Sequence, residues 1–317
     1  MRTVIALLQT ATQTIQGPPG GAGRPAGPPP GFSVTDAFFQ LLQFVGWFFA
    51  IGAIGFRFGV VRRVRGMSDE ARTILRADNA ALLGIVGIIL LGLALLGAPY
   101  VTAVTQHKSY AAALPRNLAP FELKLAMLAL ALVGFLLIRV SSSIGWTLAT
   151  IGLLVAILQP LYTGKLSGKV NAVHILAAST WLGTLLVLAL IGIRGVIRSS
   201  SVGIQRAELV ADLVNSFSPL ALVAASIVAI TGATTAWLHL KRLSALWTTS
   251  YGLALAVKLL LVLGVVTLGA WNWRRVKPSL GAEGSEETLR RSATMELTFG
   301  ALVLIATSVL VTLPSPR

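Results

Sequence analysis

The chain has 317 residues, of which 55% are apolar and only 12% are charged. Because a soluble domain of this length carries about 25% charged residues, the composition excludes an ordinary soluble protein and indicates a polytopic membrane protein. There is no cysteine, which excludes disulfides, thiolate metal sites and thiol catalysis. The net charge of +15 comes from small groups of Lys and Arg between apolar runs, a placement typical of orientation signals and not of nucleic-acid binding.

Residues 1–35 are predicted to form an external N-terminal segment. Its apolar patch at residues 4–8 is shorter than the core of a signal peptide, so an uncleaved segment lying on the surface is expected. Residues 17–31 are so rich in Pro and Gly that they are predicted to be a linker without regular structure. The membrane domain is predicted to occupy residues 36–317.

This domain is predicted to be an all-α bundle of about eight transmembrane helices. A span needs about 20 predominantly apolar residues, and the sequence contains eight such runs. No metalloprotease, nucleophile-elbow, phosphate-loop or dinucleotide motif occurs, so we do not expect an enzyme. The predicted helices are approximately 36–61, 79–104, 121–138, 144–162, 170–193, 213–238, 251–271 and 294–313, with the third and fourth forming a tight hairpin.

The distribution of basic residues predicts the orientation. The loops after the first, third, fifth and seventh helices hold fourteen Lys and Arg residues, whereas the other loops and the termini hold nine. The positive-inside rule therefore predicts that these four loops are cytoplasmic and that both termini are on the outer side of the membrane.

A weak internal repeat is also visible. The spacing His-x5-Ala-Leu occurs at His107 and again at His239, and Trp47 and Trp181 are a similar distance apart. Two parallel four-helix repeats would produce this pattern, as in many transporter folds. Chance similarity between apolar segments is the alternative explanation.

The predicted orientation places all three histidines on the outer side. His174 is the most informative, because it lies inside an apolar span and shares a helix face with Ala178 and Trp181. Such a group normally faces the bundle interior, and imidazole is a common metal ligand. The alternative is an interfacial histidine bonded to a backbone carbonyl. His107 and His239 are possible outer ligands, although loop histidines are usually only solvated.

Other polar side chains are predicted to support the site or line a pathway. Thr231 and Thr234 flank a glycine near the outer end of the sixth helix, where small hydroxyl residues more often permit close helix packing. Lys258 in the seventh helix is expected to pair with Glu122 at the outer end of the third helix, since an unpaired ammonium at that depth is costly. Snorkelling of Lys258 to the interface is the alternative.

Several short segments stand in a fixed order between residues 170 and 277. They are HILAASTWLG (174–183), Thr231-Gly232, SALWTTSYG (244–252), Val257-Lys258-Leu259 and Asn272. On these segments, residues 213–277 resemble the conserved domain of the CopD family, membrane proteins linked to copper resistance or uptake, and with the similar histidine helix the resemblance covers about 170–277. The resemblance implies an eight-helix protein of the bacterial inner membrane that moves or handles copper ions at the periplasmic face, often beside a separate CopC-like copper-binding protein.

The sequence departs from the family pattern in two ways. Where relatives often carry a Gly-His pair before the histidine helix, this chain has residues 163–165, which read Thr-Gly-Lys. Copper(I) prefers thiolate or thioether ligands, yet the chain lacks cysteine and only Met127 is predicted in the outer half of the membrane. A histidine-based copper site is therefore expected, or alternatively a derived role in which copper handling has been lost.

Two other functions compete with copper transport. The chain is alternatively a non-transporting subunit or assembly factor that works with other membrane subunits in a larger complex. A haem-binding electron-transfer protein is less expected, because only His174 lies within a span.

Overall fold

A computed structural model describes residues 32–64, 77–193, 203–240, 242–272, 274 and 285–314. The regular structure in these residues is entirely helical, and eight helices are long and apolar enough to cross a membrane. The predicted all-α bundle is therefore confirmed. The helices are α1 (Val34–Arg63), α2 (Ala77–Thr105), α3 (Ala119–Leu137), α4 (Ser142–Thr163), α5 (Leu166–Ile193), α6 (Gly203–Leu240), α7 (Ser250–Trp271) and α8 (Ser285–Thr312).

The predicted helix boundaries agree with the structure except at two starts. α6 begins ten residues before the predicted 213, and α8 begins nine residues before the predicted 294. The added turns are rich in polar residues that favour helix, so they continue the helix without contributing to the apolar signal. The prediction for the N-terminal linker lies outside the described residues.

The predicted hairpin between α3 and α4 is confirmed, and glycines hold it together. The two helices pack along each other, with a connection of four residues from 138 to 141. A Cβ atom on Gly134 would collide with the backbone of Ala149, and one on Gly145 would lie 2.7 Å from the carbonyl oxygen of Gly134. Small residues at a membrane helix interface let the backbones approach closely.

Helices α1 and α5 form the centre of the bundle. α1 packs against α2, α5 and α8, and α5 packs against α1, α4 and α6. They cross at Gly52 and Gly183, where a Cβ atom on either glycine would collide with the backbone of the other helix. Their backbones are therefore in direct contact, without intervening side chains.

The packing has the order expected of two parallel four-helix repeats. The contact of α1 with α2 corresponds to that of α5 with α6, and the α3–α4 pair corresponds to the α7–α8 pair. α1 contains a π-helical turn at Phe56–Val60, and α5 contains two, at Ser179–Gly183 and Leu188–Ile193. The second of these starts 132 residues after the turn in α1, and His107 and His239 have the same separation. The α2–α3 contact has no counterpart of similar extent between α6 and α7 in the described residues, so the repeat stays a prediction.

Candidate functional site

The histidines lie at the end of the bundle where α1 begins and α8 ends, which we call the terminal end. His174 is in the third turn of α5, and His239 is in the last turn of α6. α5 and α6 pack along each other, and α7 begins beside the end of α6 through the stacking of His239 on Tyr251. Which side of the membrane this end faces stays a prediction.

His174 is held by a hydroxyl on the neighbouring helix. Its Nδ1 atom lies 2.9 Å from Oγ1 of Thr231. The Thr231 hydroxyl donates its own proton to the carbonyl oxygen of Ile227 at 2.5 Å, so it accepts a hydrogen bond from Nδ1–H of His174. In the neutral imidazole this arrangement leaves Nε2 unprotonated, with its lone pair available to a ligand.

Gly232 makes room for the His174 ring. A Cβ atom on this glycine would lie 3.2 Å from Cε1 of the imidazole, so a larger residue would crowd the ring. The ring itself is half-buried. The adjacent pair Thr231 and Gly232 therefore supplies both the hydrogen bond and the space that fix the orientation of His174.

His239 has the same protonation pattern with a different partner. Its Nδ1 atom lies 2.8 Å from the backbone carbonyl oxygen of Thr235. Because a carbonyl oxygen only accepts, Nδ1–H is the donor and Nε2 again carries the lone pair. The ring stacks on the buried ring of Tyr251, with the centroids 6.1 Å apart and the planes inclined by 18°.

Both imidazoles bond to the same face of α6, His174 at Thr231 and His239 at Thr235. Thr231, Thr235 and His239 follow each other at intervals of four residues, and the Thr235 hydroxyl donates to the carbonyl oxygen of Thr231 at 2.8 Å. At 1.5 Å per residue, Thr231 and His239 are about 12 Å apart along the helix. Within the described residues, no group of three His, Asp or Glu side chains could hold a metal ion. The geometry likewise gives a bis-histidine haem no support.

His107 has a structural explanation. Its side chain is exposed. Its backbone φ is 51°, and among the described residues it is the one non-glycine residue with a positive φ. Its N–H donates to the carbonyl of Val104, while the N–H of Lys108 donates to the carbonyl of Ala103, which together close the end of α2 as a Schellman motif. In the described residues, the side-chain contacts of His174 and His239 do not include His107, and its role as a ligand stays a prediction.

Lys258 does not pair with the expected acid. This half-buried side chain on α7 is within electrostatic range of His174, and no hydrogen bond joins the two side chains in the described residues. Among the described residues there is no ion pair between Lys258 and Glu122, so the predicted pair is wrong. The reason is the packing, because α3 lies against α2 and α4, whereas α7 lies against α8, and the Glu122 side chain is exposed.

The remaining predicted residues divide between the site and the scaffold. Trp181 is half-buried and packs with apolar side chains of α1, α7 and α8, so it contributes to the core below His174. Met127 packs in the core of the α3–α4 hairpin. Thr234 is exposed, and its hydroxyl bonds to the carbonyl of Ile230 on its own helix. Of the two predicted threonines, only Thr231 therefore contacts a histidine.

The sequence prediction did not include three contributors to the site: the space that Gly232 leaves for the His174 ring, the carbonyl of Thr235 and the ring of Tyr251. The spacing of four residues from Thr231 to Thr235 to His239 was a readable signal that these groups share a helix face. The stacking of His239 on Tyr251 depends on how the chain turns between α6 and α7, which helical periodicity does not specify.

Comparison with known proteins gives one match. Residues 211–310 match the family model described as copper resistance protein D, CopD. No curated protein and no solved structure shows a significant match. The predicted resemblance over about 170–277 is thus confirmed for α6 and α7, and it extends through most of α8, whereas His174 on α5 precedes the matched range. Over these three helices, about a third of its length, this multi-pass membrane protein is similar to the copper resistance protein D family.

Proposed function

We propose that this protein handles and transports copper ions through the histidines at its terminal end. We place it in a bacterial inner membrane, with that end and both chain termini in the periplasm, where a separate CopC-like protein would exchange copper with it. The family match supports the copper substrate. The loop charges support the orientation, since the two most basic loops lie at the opposite end.

The observation that carries the proposal is the state of the two imidazoles. In both His174 and His239, Nδ1–H donates to an oxygen of α6, which leaves Nε2 as the ligand atom. Metal-binding histidines in proteins usually have this arrangement, because the bond made by one nitrogen fixes the ring and increases the basicity of the other. Imidazole nitrogen is a suitable donor for copper in a chain without cysteine.

The positions of the two histidines along α6 favour two successive copper-binding sites. Because Thr231 and His239 are about 12 Å apart along α6, we infer that the two rings bind copper separately, first at His239 and then deeper at His174. We infer that the positive charge of Lys258, which is within electrostatic range of His174, weakens the binding of a cation at the deeper site. Weak binding suits a transport site, because an ion that is to be conducted must also leave.

The first experiment measures copper in cells that express the protein at matched membrane levels. We expect the wild-type protein to change the copper content and His174→Ala to abolish the change, while Thr234→Val, which alters a lipid-facing hydroxyl, leaves it intact. An unchanged copper content with the wild-type protein would overturn transport. A stable complex with other membrane proteins in mild detergent would then support a non-transporting subunit or assembly factor.

A further inference from the structure

Glu296 is an acidic side chain buried at the end of the bundle opposite the histidines. It lies on α8 with only 9% of its surface exposed. Among the residues that the structure describes, it is the one buried side chain with an ionisable group, apart from the phenol of Tyr251. Ionisable groups inside a membrane protein are costly and usually functional. The histidine site gives Glu296 no role, because it lies near the other end of the matched helices.

The carboxyl of Glu296 is held by the end of the neighbouring helix. The side-chain amide of Asn272, directly after α7, donates a hydrogen bond from Nδ2 to Oε1 of Glu296. Gly269 lies one turn earlier on α7, and a Cβ atom there would be 3.9 Å from the same oxygen. The carboxyl of Glu296 therefore lies beside the carbonyl end of α7.

Charged side chains at this end do not neutralise Glu296 within the part of the chain that is described. α8 packs against α7, α1, α5 and α6, and α5 has no charged residue along 184–193. The charged residues described at this end of the other packed helices are exposed Arg274 after α7, exposed Arg291 on α8, half-buried Arg57 and exposed Arg62 and Arg63 on α1, and exposed Glu208 and Asp212 on α6. None of these side chains forms an ion pair with Glu296 in the described residues.

The hydrogen bond favours a proton over a metal cation as the ligand of this carboxyl. A bound alkali cation would draw oxygen atoms around itself, yet Asn272 presents its amino group to Oε1. This bond is compatible with both states of the acid, because Oε1 accepts whether Oε2 carries a proton or not. Asn272 therefore fixes the position of the Glu296 carboxyl while a proton is bound and released.

We propose that Glu296 is an intramembrane proton-binding site, held by Asn272, that exchanges its proton with water at the end opposite the histidines. The O–H bond of the acid breaks on release, leaving the carboxylate, and forms again on uptake. If copper transport is established, this exchange supplies proton coupling to it, and only this part of the inference rests on the proposed function.

Infrared difference spectroscopy of the purified protein tests proton binding without copper. Between acidic and alkaline buffer, the wild-type difference spectrum should contain the loss of a carboxylic-acid C=O band from Glu296 beside those of the exposed acids. Glu296→Gln should lack this one band, while Glu208→Gln, on an exposed acid, should retain it. The glutamine can still accept the bond from Asn272, and Glu296→Asp, which keeps the acid, should show a shifted band. Equal difference spectra for the wild-type protein and Glu296→Gln would overturn the proposal, as would a band that requires Na⁺ or K⁺.

Proteoliposomes then test the coupling. With an imposed pH gradient, copper movement by the wild-type protein should change, and Glu296→Gln should lose that response while retaining binding at His174. Equal responses of the two proteins would overturn the coupling. Absence of copper movement by the wild-type protein would count against the proposed function, and the infrared result would still decide whether Glu296 binds a proton.

Discussion

Replacing Gly52 with alanine should loosen the contact between the two central helices. The new Cβ atom would lie 2.9 Å from Cα of Gly183 and nearer still to its carbonyl group, where ordinary contacts begin at 3.4 Å. The backbone of α5 cannot rotate away as a side chain could, so the helices must separate. Overpacking of this kind costs about 1–3 kcal/mol.

Gly92 provides a matched control on α2. A Cβ atom there would meet nothing within 4 Å, so Gly92→Ala should show only the gain in helix propensity, about 1 kcal/mol. Because both substitutions share this gain, the two variants should differ by the overpacking energy of about 1–3 kcal/mol, with Gly52→Ala the less stable.

Reversible unfolding in mixed detergent micelles, followed by tryptophan fluorescence, measures this difference. Trp47 on α1 is buried five residues before Gly52 and reports on the packing around α1. Equal free energies of unfolding for the two variants would refute the direct backbone contact between α1 and α5.

Two further predictions concern the terminal end. Thr231→Val removes the acceptor of His174 Nδ1–H and should lower copper affinity about 10–100-fold, whereas Thr234→Val should leave the affinity unchanged. Competition with a copper chelator measures both affinities, and equal values for the two variants would contradict the role of Thr231. His107→Gly relieves a positive φ and should stabilise the protein by about 1 kcal/mol, while His107→Val should destabilise it by about 1–2 kcal/mol. Both His107 variants should retain copper handling, and a loss of copper handling in His107→Gly would show that this imidazole is a ligand.

The helices were predictable because hydropathy reports the length of a span directly. The same signal does not record which helices touch, and this is why the pair of Lys258 with Glu122 was wrong. Both residues are at the terminal end, but their helices pack against different neighbours. Depth in the membrane follows from sequence position, whereas the neighbour of a side chain depends on the lateral order of the helices.

The candidate site was predictable to a similar extent. His174 could be predicted as a site residue because it is an isolated histidine in an apolar run. Its interaction with Thr231 could not be predicted, because it depends on the register between α5 and α6. His107 was given the same chemical role as the other histidines, although its conformation explains its position as a helix terminator. A backbone angle of this kind has no signature in hydropathy or in residue type alone.

The π-helical turns at Phe56–Val60 and Leu188–Ile193 start 132 residues apart. Moved back by this distance, His174 falls on Leu42, Thr231 on Pro99 and Lys258 on Ala126, whereas His239 falls on His107. Of these four polar positions, only His239 therefore has a counterpart of the same type in the first half. If the halves arose by duplication, the polar surroundings of His174 belong to one copy alone.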